Sequence, residues 1–208
     1  MSGNYVINIG RQLGSGGKEI GEKLAARLGI DFYDKELINL ASEESGLCKE
    51  FFEKADEKAS QGIIGGLFGM RFPFISEGAM PCNNCLSNDA LFKVQSDVIR
   101  HLAAEKSCVF VGRCADYILE DIPNHLNVYV YAPDEARLKN CVENLQMDPQ
   151  TAKKMMRDVD AARNRYHKAY IPGWQSVFDH KDLMIDSSRF GIDGTAKILA
   201  DIVKNQWG

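Results

Sequence analysis

No apolar stretch in this 208-residue sequence approaches the roughly 20 residues that a membrane-crossing helix needs. The opening Met1-Ser2-Gly3-Asn4-Tyr5 has neither a basic n-region nor an apolar h-region, so it does not read as a secretory signal. Cysteine is sparse: six residues are too few for a disulfide scaffold, and a reduced, cytoplasmic protein is expected. Neither charge sign dominates. The 25 Lys and Arg against 29 Asp and Glu leave a net charge of −4, with no global pull toward nucleic acid or an anionic membrane. Internal repeats are absent as well. What remains is a chain with 45% hydrophobic and 26% charged residues, the balance of a globular protein with one core. Its length fits a single domain, 1–208, with small subdomains at most.

The first organised unit is Tyr5-Val6-Ile7-Asn8-Ile9, a β-prone run, followed by the glycine-rich turn Gly10-Arg11-Gln12-Leu13-Gly14-Ser15-Gly16-Gly17. Beyond the turn, Ile20, Leu24 and Leu28 recur at steps of four, with Ala25 beside them, and Gly29 closes this helical face. Three further apolar runs read as buried parallel strands: Cys108-Val109-Phe110-Val111, Leu126 to Tyr131, and Leu183-Met184-Ile185. Asp31-Phe32-Tyr33 is a short additional candidate. Helical spacing recurs at Leu91, Val94, Val98 and Leu102; at Leu138, Cys141, Val142 and Leu145; and at Ile198, Leu199, Ile202 and Val203. Asp148-Pro149 predicts another helix start, with Asp as N-cap and Pro at the first helical position. Strands alternating with helices predict an α/β fold of three layers, a parallel sheet of about five strands with helices on both faces. Residues 60–87 differ. Gly62, Gly65, Gly66, Gly69, Pro73, Gly78 and Pro81 break up an apolar run, which reads as an insertion outside the core or as an ordinary surface loop.

A glycine turn between strand and helix lets backbone N–H groups converge on an anion, and the helix N-terminus adds partial positive charge. Gly14, Gly16 and Gly17 supply the conformational freedom, and Lys18 is within reach of phosphate oxygens. The pattern G-x-x-x-x-G-K-[ST] fits in neither of two registers. With Gly17-Lys18 as the G-K pair, Gln12 takes the first glycine position and Glu19 the hydroxyl position. With Gly16 as the second glycine, the lysine position falls on Gly17. A plain connecting turn is the bland alternative. A dinucleotide-binding reading has Gly14-x-Gly16 and Asp34 twenty residues on, but Glu19 stands at its third glycine position.

The segment from Val6 through Gly21, followed by Phe32-Tyr33-Asp34-Lys35-Glu36-Leu37-Ile38, resembles the cytidylate kinase-like family, a branch of the P-loop nucleoside monophosphate kinases. The likeness continues through Val111-Gly112-Arg113-Cys114-Ala115-Asp116, the strand ending Val130-Tyr131-Ala132-Pro133, and the basic helix around Asp160 to Tyr166. The resemblance implies a P-loop kinase fold, with an acceptor-binding segment over residues 35–105 and a lid over 134–170. It implies ATP with Mg2+ as donor and a nucleoside monophosphate as acceptor. Donor phosphates would lie in the turn, with Arg11, Gly14, Ser15, Gly16, Gly17, Lys18 and Glu19 as nucleotide-binding residues and Lys18 also catalytic. Asp34 is similar to the acid of a Leu-Asp-Thr-Gly segment on the acceptor side. Arg113 resembles the arginine of a Gly-Arg-Asp motif that holds the acceptor phosphate, with Cys114 here in place of the acid. Arg157, Arg163 and Arg165 fall where lid arginines would lie.

The chemistry of phosphoryl transfer agrees with these types of residue, because it needs pre-positioned positive charge around the transferring group. An arginine just past a parallel strand, as Arg113 is, projects toward the crevice where α/β proteins bind ligands and grips phosphate bidentately. The bland alternatives are a surface salt bridge for Arg113, a solvated face for the three later arginines, and a helix cap for Asp34. Glu19 cannot copy a metal-binding hydroxyl; Ser15 is a substitute, or the ion arrives on the nucleotide. Cys82-x-x-Cys85 has no second ligand pair and reads as loop cysteines. The four histidines lack ligand spacing, and His167 reads as solvated. Tyr166, Tyr170 and Trp174 read as packing of the lid hinge. Residues 62–75 are compatible with a homodimer interface. The leading expectation is an ATP-dependent kinase acting on a small phosphorylated acceptor. A nucleotide-binding regulator without turnover is the alternative.

Overall fold

A computed structural model describes residues 3–44 and 88–208. Five strands form one parallel sheet: β1 (Val6–Arg11), β2 (Asp31–Tyr33), β3 (Cys108–Val111), β4 (His125–Tyr131) and β5 (Leu183–Asp186), in the order β2-β3-β1-β4-β5. Every strand foreseen from an apolar run is present, to within one residue at each end except for β1, which runs on from Ile9 to Arg11. The described helices are α1 (Gly17–Leu28), α2 (Lys35–Glu44), α3 (Asn88–Glu105), α4 (Ala115–Ile118), α5 (Asp134–Glu143), α6 (Pro149–Tyr170) and α7 (Ser187–Trp207). The predicted insertion at 60–87, with Cys82, Cys85 and the apolar stretch 62–75, lies outside the described residues.

The alternation of side chains along each strand sorts them onto two faces. Ile7 and Ile9 join Val109, Val111, Val128 and Val130 against Ile20 and Leu24 of α1 and Ala196 and Leu199 of α7. On the other face Val6, Cys108 and Phe110 pack against Ile38 of α2, Ile99 of α3 and Ala115 and Ile118 of α4. Asn8 points the same way as Val6, and its Nδ2 donates to Asn127 Oδ1 at 2.8 Å inside the sheet. A third cluster, Cys141, Ala152 and Met156, joins α5 to α6. The expected three-layer α/β architecture is therefore the fold.

Local chemistry sets the helix ends. Asp148 caps α6 by accepting from the N–H groups of Gln150 and Thr151, with Pro149 at the first helical position, as the sequence predicts. Gly29 ends α1 at φ 65°. One boundary differs. The helical spacing extends the α5 face to Leu145, but α5 ends at Glu143 and Leu145 is exposed. The amides of Leu145 and Met147 bond back to Asn140 O at 3.3 Å and Cys141 O at 3.1 Å, and Gln146 takes φ 52°, so the chain turns away before another helical turn forms. α7 carries a break at Gly191 (φ 66°, ψ 176°) that the sequence pattern did not reveal.

The topology fixes where a ligand belongs. From β1 the chain goes to β2 and β3 on one side, then crosses to β4 and β5 on the other. The crevice beyond the carboxyl end of β1 is the switch point of the sheet, where open α/β sheets bind ligands. The glycine turn begins there.

Candidate active site

The turn after β1 leads directly into α1, with Gly14 at φ 82° and Gly16, the N-cap, at φ 75°. These left-handed conformations curl the backbone so that its N–H groups point inward. The N–H groups of Gly14, Gly16, Gly17, Lys18 and Glu19 have no hydrogen-bond acceptor among the described residues. They form a row of donors at the positive end of a 12-residue helix, the arrangement that binds phosphate.

The outside of the turn is held tightly. Arg163 Nη1 donates to Arg11 O at 3.0 Å, Arg137 Nε to Leu13 O at 2.7 Å, and Asn140 Nδ2 to Gly14 O at 2.9 Å. Asp160 Oδ1 accepts from Leu13 N at 2.9 Å, and Asp160 Oδ2 pairs with the buried Arg137. Ser187 Oγ donates to Ser15 O at 2.7 Å. Outward-facing carbonyls are thus occupied while the inward amides stay open, which pre-organises the loop. Arg137, Asn140 and Ser187 were not singled out in the sequence. Their partners lie 124, 126 and 172 positions away, beyond any local pattern.

Cationic side chains converge over the same crevice. Loss of hydration lowers the pKa of Arg11 to about 9, with Arg163 and Arg113 adding to the fall and Asp34 and Asp160 opposing it. It forms no ion pair among the described residues. Burial likewise lowers Arg163, against the support of Asp160. Lys35, at the start of α2, feels the same field: desolvation and then Arg113 lower it, Glu36 opposes and Arg11 adds. Both guanidinium groups stay protonated at neutral pH.

Arg113 stands two residues past β3. Its Nη2 donates to Asn39 Oδ1 at 3.3 Å, an oxygen that also accepts from Gln95 Nε2 at 2.8 Å. Its guanidinium carbon lies 5.7 Å from the centre of the Tyr166 ring, and its Nε is buried without a partner. Gly112, Arg113 and Cys114 have φ of 86°, 59° and 55°. Left-handed backbone at two consecutive non-glycine residues costs about 1–3 kcal/mol each, a strain found where a side chain must be aimed.

The other sequence candidates separate. Asp34 caps α2, its Oδ1 accepting from the N–H groups of Glu36 and Leu37 at 3.0 Å, while Lys18 Nζ lies 2.6 Å from its Oδ2. Burial raises the Asp34 pKa, but Lys18 and the two amides outweigh it and the net shift is downward. Lys18 also reaches Glu36 Oε2 at 3.3 Å, so its ammonium faces α2. Ser15 is buried and donates to Gln12 O at 2.9 Å. Of the three arginines expected on a lid, Arg163 is at the loop, whereas Arg157 and Arg165 are exposed. His167, expected to be solvated, is not: it stacks on Trp174, bonds Arg163 O through Nδ1, and burial lowers its pKa. Tyr166 and Tyr170 pack against Phe92 of α3.

No group of three or more His, Cys, Asp or Glu among the described residues is arranged to hold a metal. No described helix is long and apolar enough to cross a membrane. The chain belongs to the cytidylate kinase-like family, whose profile matches residues 6–189. Family and fold support a phosphotransfer kinase and leave its acceptor open. The sequence matches no curated protein. Among solved structures it is similar to an uncharacterized protein from Eubacterium ventriosum ATCC 27560, at 24% identity and TM-score 0.70, covering 97% of this chain and 99% of that one. It is also similar to shikimate kinase from Bacteroides thetaiotaomicron, at 11% identity and TM-score 0.53, covering 96% and 98%. These likenesses concern the fold.

Proposed function

We propose that the protein is a cytoplasmic, ATP-dependent kinase that phosphorylates a small phosphorylated acceptor, best matched by a nucleoside monophosphate. The observation that carries this reading is the set of unoccupied amides of Gly14, Gly16, Gly17, Lys18 and Glu19 beside Arg11, Arg113 and Arg163. Two phosphate-binding elements, a helix N-terminus and an arginine cluster, share one crevice, as a donor and a phosphorylated acceptor require. An acceptor oxygen attacks the terminal phosphorus of ATP as the bond to the bridging oxygen breaks, and ADP leaves with that oxygen. The chain contributes position and charge, with no acid or base needed to make the transfer run.

In this reading the turn from Arg11 to Glu19 binds the donor. Asp34 and Arg113 face the acceptor, within an acceptor segment at 35–105, and the segment 134–170 closes as a lid, excluding water. Arg163 keeps the loop and the lid helix together, and Arg157 and Arg165 come into play on closure. A resident magnesium set is not offered by the described residues: Asp34 and Asp160 are paired, and Ser15 is buried with its hydroxyl donating inward. ATP therefore enters as its Mg2+ complex, the ion belonging to the substrate. A homodimer through residues 62–75 is compatible with this reading, and nucleic acid and membrane are not among the partners.

ADP formation from ATP and Mg2+, with each nucleoside monophosphate added separately and a no-acceptor control, tests the proposal. ADP that depends on one acceptor supports it and identifies the substrate. One observation favours a second reading, a nucleotide-binding regulator without turnover. Glycine and lysine stand at positions 17 and 18, where the phosphate-loop pattern has lysine and a hydroxyl. Tight ATP binding with no ADP from any acceptor would select that alternative.

A further inference from the structure

We propose that Arg11 supplies the phosphate-binding positive charge that lysine supplies in the G-x-x-x-x-G-K-[ST] pattern, its side chain crossing from the end of β1 over Gly17 and Gly112. The inference rests on the kinase reading and assigns one charge within it. The structure selects the register, because Gly16 is the N-cap of α1 and Gly17 its first residue. Counting back, the first glycine of the pattern falls on Arg11, the lysine on Gly17 and the hydroxyl on Lys18. Two of the departures are reciprocal: an arginine replaces a glycine, and a glycine replaces the lysine.

Geometry explains why they occur together. A Cβ built on Gly17 would stand 2.5 Å from Arg11 Cβ and 3.0 Å from its Cγ, so any side chain at 17 collides with the arginine stem. A Cβ on Gly112 would overlap Arg11 Nη1 and lie 3.2 Å from its guanidinium carbon. The Arg11 side chain therefore runs in a channel floored by two glycines. Its stem lies against Gly17, the first residue of α1, and its head ends at Gly112, the neighbour of Arg113.

The nearby lysine is otherwise engaged. Lys18 Nζ is 2.6 Å from Asp34 Oδ2 and 3.3 Å from Glu36 Oε2, on the α2 side of the site. Arg11 has no such partner among the described residues, while its backbone carbonyl is held by Arg163 at 3.0 Å. A desolvated cation without a counter-ion, next to a row of open amides, is satisfied by an anion bound to those amides.

Calorimetric titration with Mg2+-ATP of the wild type, Arg11→Met, Arg11→Lys and the double variant Arg11→Gly/Gly17→Lys tests this, with thermal melts of each. The expected result is a Kd raised 10-fold or more in Arg11→Met, and within about 3-fold of wild type in Arg11→Lys. The double variant, which restores the pattern's own glycine and lysine, should regain most of the affinity lost in Arg11→Met. A wild type that binds no ATP overturns the kinase reading itself. A binding wild type with an unaffected Arg11→Met overturns the Arg11 assignment alone. Equal loss in Arg11→Lys and Arg11→Met, at wild-type melting temperature, also overturns it, because charge would not be the property that matters. A well-folded double variant that regains nothing counts against it in the same way.

Discussion

Lys18 Nζ and Asp34 Oδ2 lie 2.6 Å apart, joining the first turn of α1 to the carboxylate that caps α2. The pair bridges the two sides of the crevice, so the start of α1 and the start of α2 are held at one spacing. Asp34 is buried and Lys18 is half exposed, which limits the Coulomb contribution to about 1 kcal/mol or less.

Asp34→Asn keeps an oxygen that can cap α2 but removes the charge. The folded-state pKa of Asp34 lies below the ordinary carboxylate value, so its stabilisation is present above that value and is lost as pH falls through the lowered one. Urea midpoints measured between pH 2 and pH 7 should therefore show a shallower acid limb for Asp34→Asn than for wild type. The two curves should converge at the acid end. Parallel curves over that range would mean that the carboxylate gains nothing from Lys18 and the cap.

Arg113 offers a separation of strain from function. Its left-handed backbone suits glycine, so Arg113→Gly should leave stability unchanged or raise it by up to about 1 kcal/mol. The same variant loses the guanidinium beside Asn39 and Tyr166. In the kinase assay KM for the acceptor should rise 10-fold or more, with KM for ATP changed by about 3-fold at most. Unchanged acceptor kinetics would remove Arg113 from the site.

Asp160 carries the support of the loop. One oxygen accepts from Leu13 N and Arg163, and the other pairs with Arg137, whose side chain is 6% exposed. Removing the carboxylate leaves the buried Arg137 with Asp134 Oδ1, at 3.1 Å, as its remaining carboxylate partner and leaves a loop amide unsatisfied, so Asp160→Ala should cost about 1–3 kcal/mol in urea denaturation. Adding Arg137→Met should recover a measurable part of that loss, because the buried guanidinium that has lost its Asp160 partner goes with it. A double variant no more stable than Asp160→Ala would show that the packing around Arg137, and not its charge, is what the pair protects.

The sheet was legible because each strand is buried on both sides and leaves a continuous apolar run, from Cys108 to Val111 or from Leu126 to Tyr131. Asp148-Pro149 was legible for a local reason, since capping chemistry acts over three residues. The glycine turn between β1 and α1 and the place of Arg113 just past β3 were legible from position and residue type alone. Other features depend on distant contacts. Nothing near Arg137 in the sequence indicates Leu13 as its partner, and helical periodicity carries the α5 pattern past Glu143 to Leu145 without signalling that the chain has turned. Lys18 is the instructive case. A lysine after three glycines in four residues invites a phosphate role, but only the register of the helix start reveals that Gly17 holds the equivalent position and that Arg11 fills the space above it.

Arg157, Arg163 and Arg165 give the last prediction, because they share α6 but not one environment. Arg163 donates to Arg11 O and pairs with Asp160, so Arg163→Ala should lower both stability, by about 1–3 kcal/mol, and kcat. Arg157 lies in a groove beside Asp134 and Lys153, and Arg165 is exposed; neither forms an ion pair among the described residues. Replacing either by Ala should leave the urea midpoint within about 0.5 kcal/mol of wild type. If they supply charge to the transferring phosphoryl group on closure, kcat falls 10-fold or more in these stable variants, since an interaction made only in the transition state is absent from the open protein. Stable variants with wild-type kcat would assign Arg157 and Arg165 to a solvated helix face and leave Arg163 as the lid's contribution.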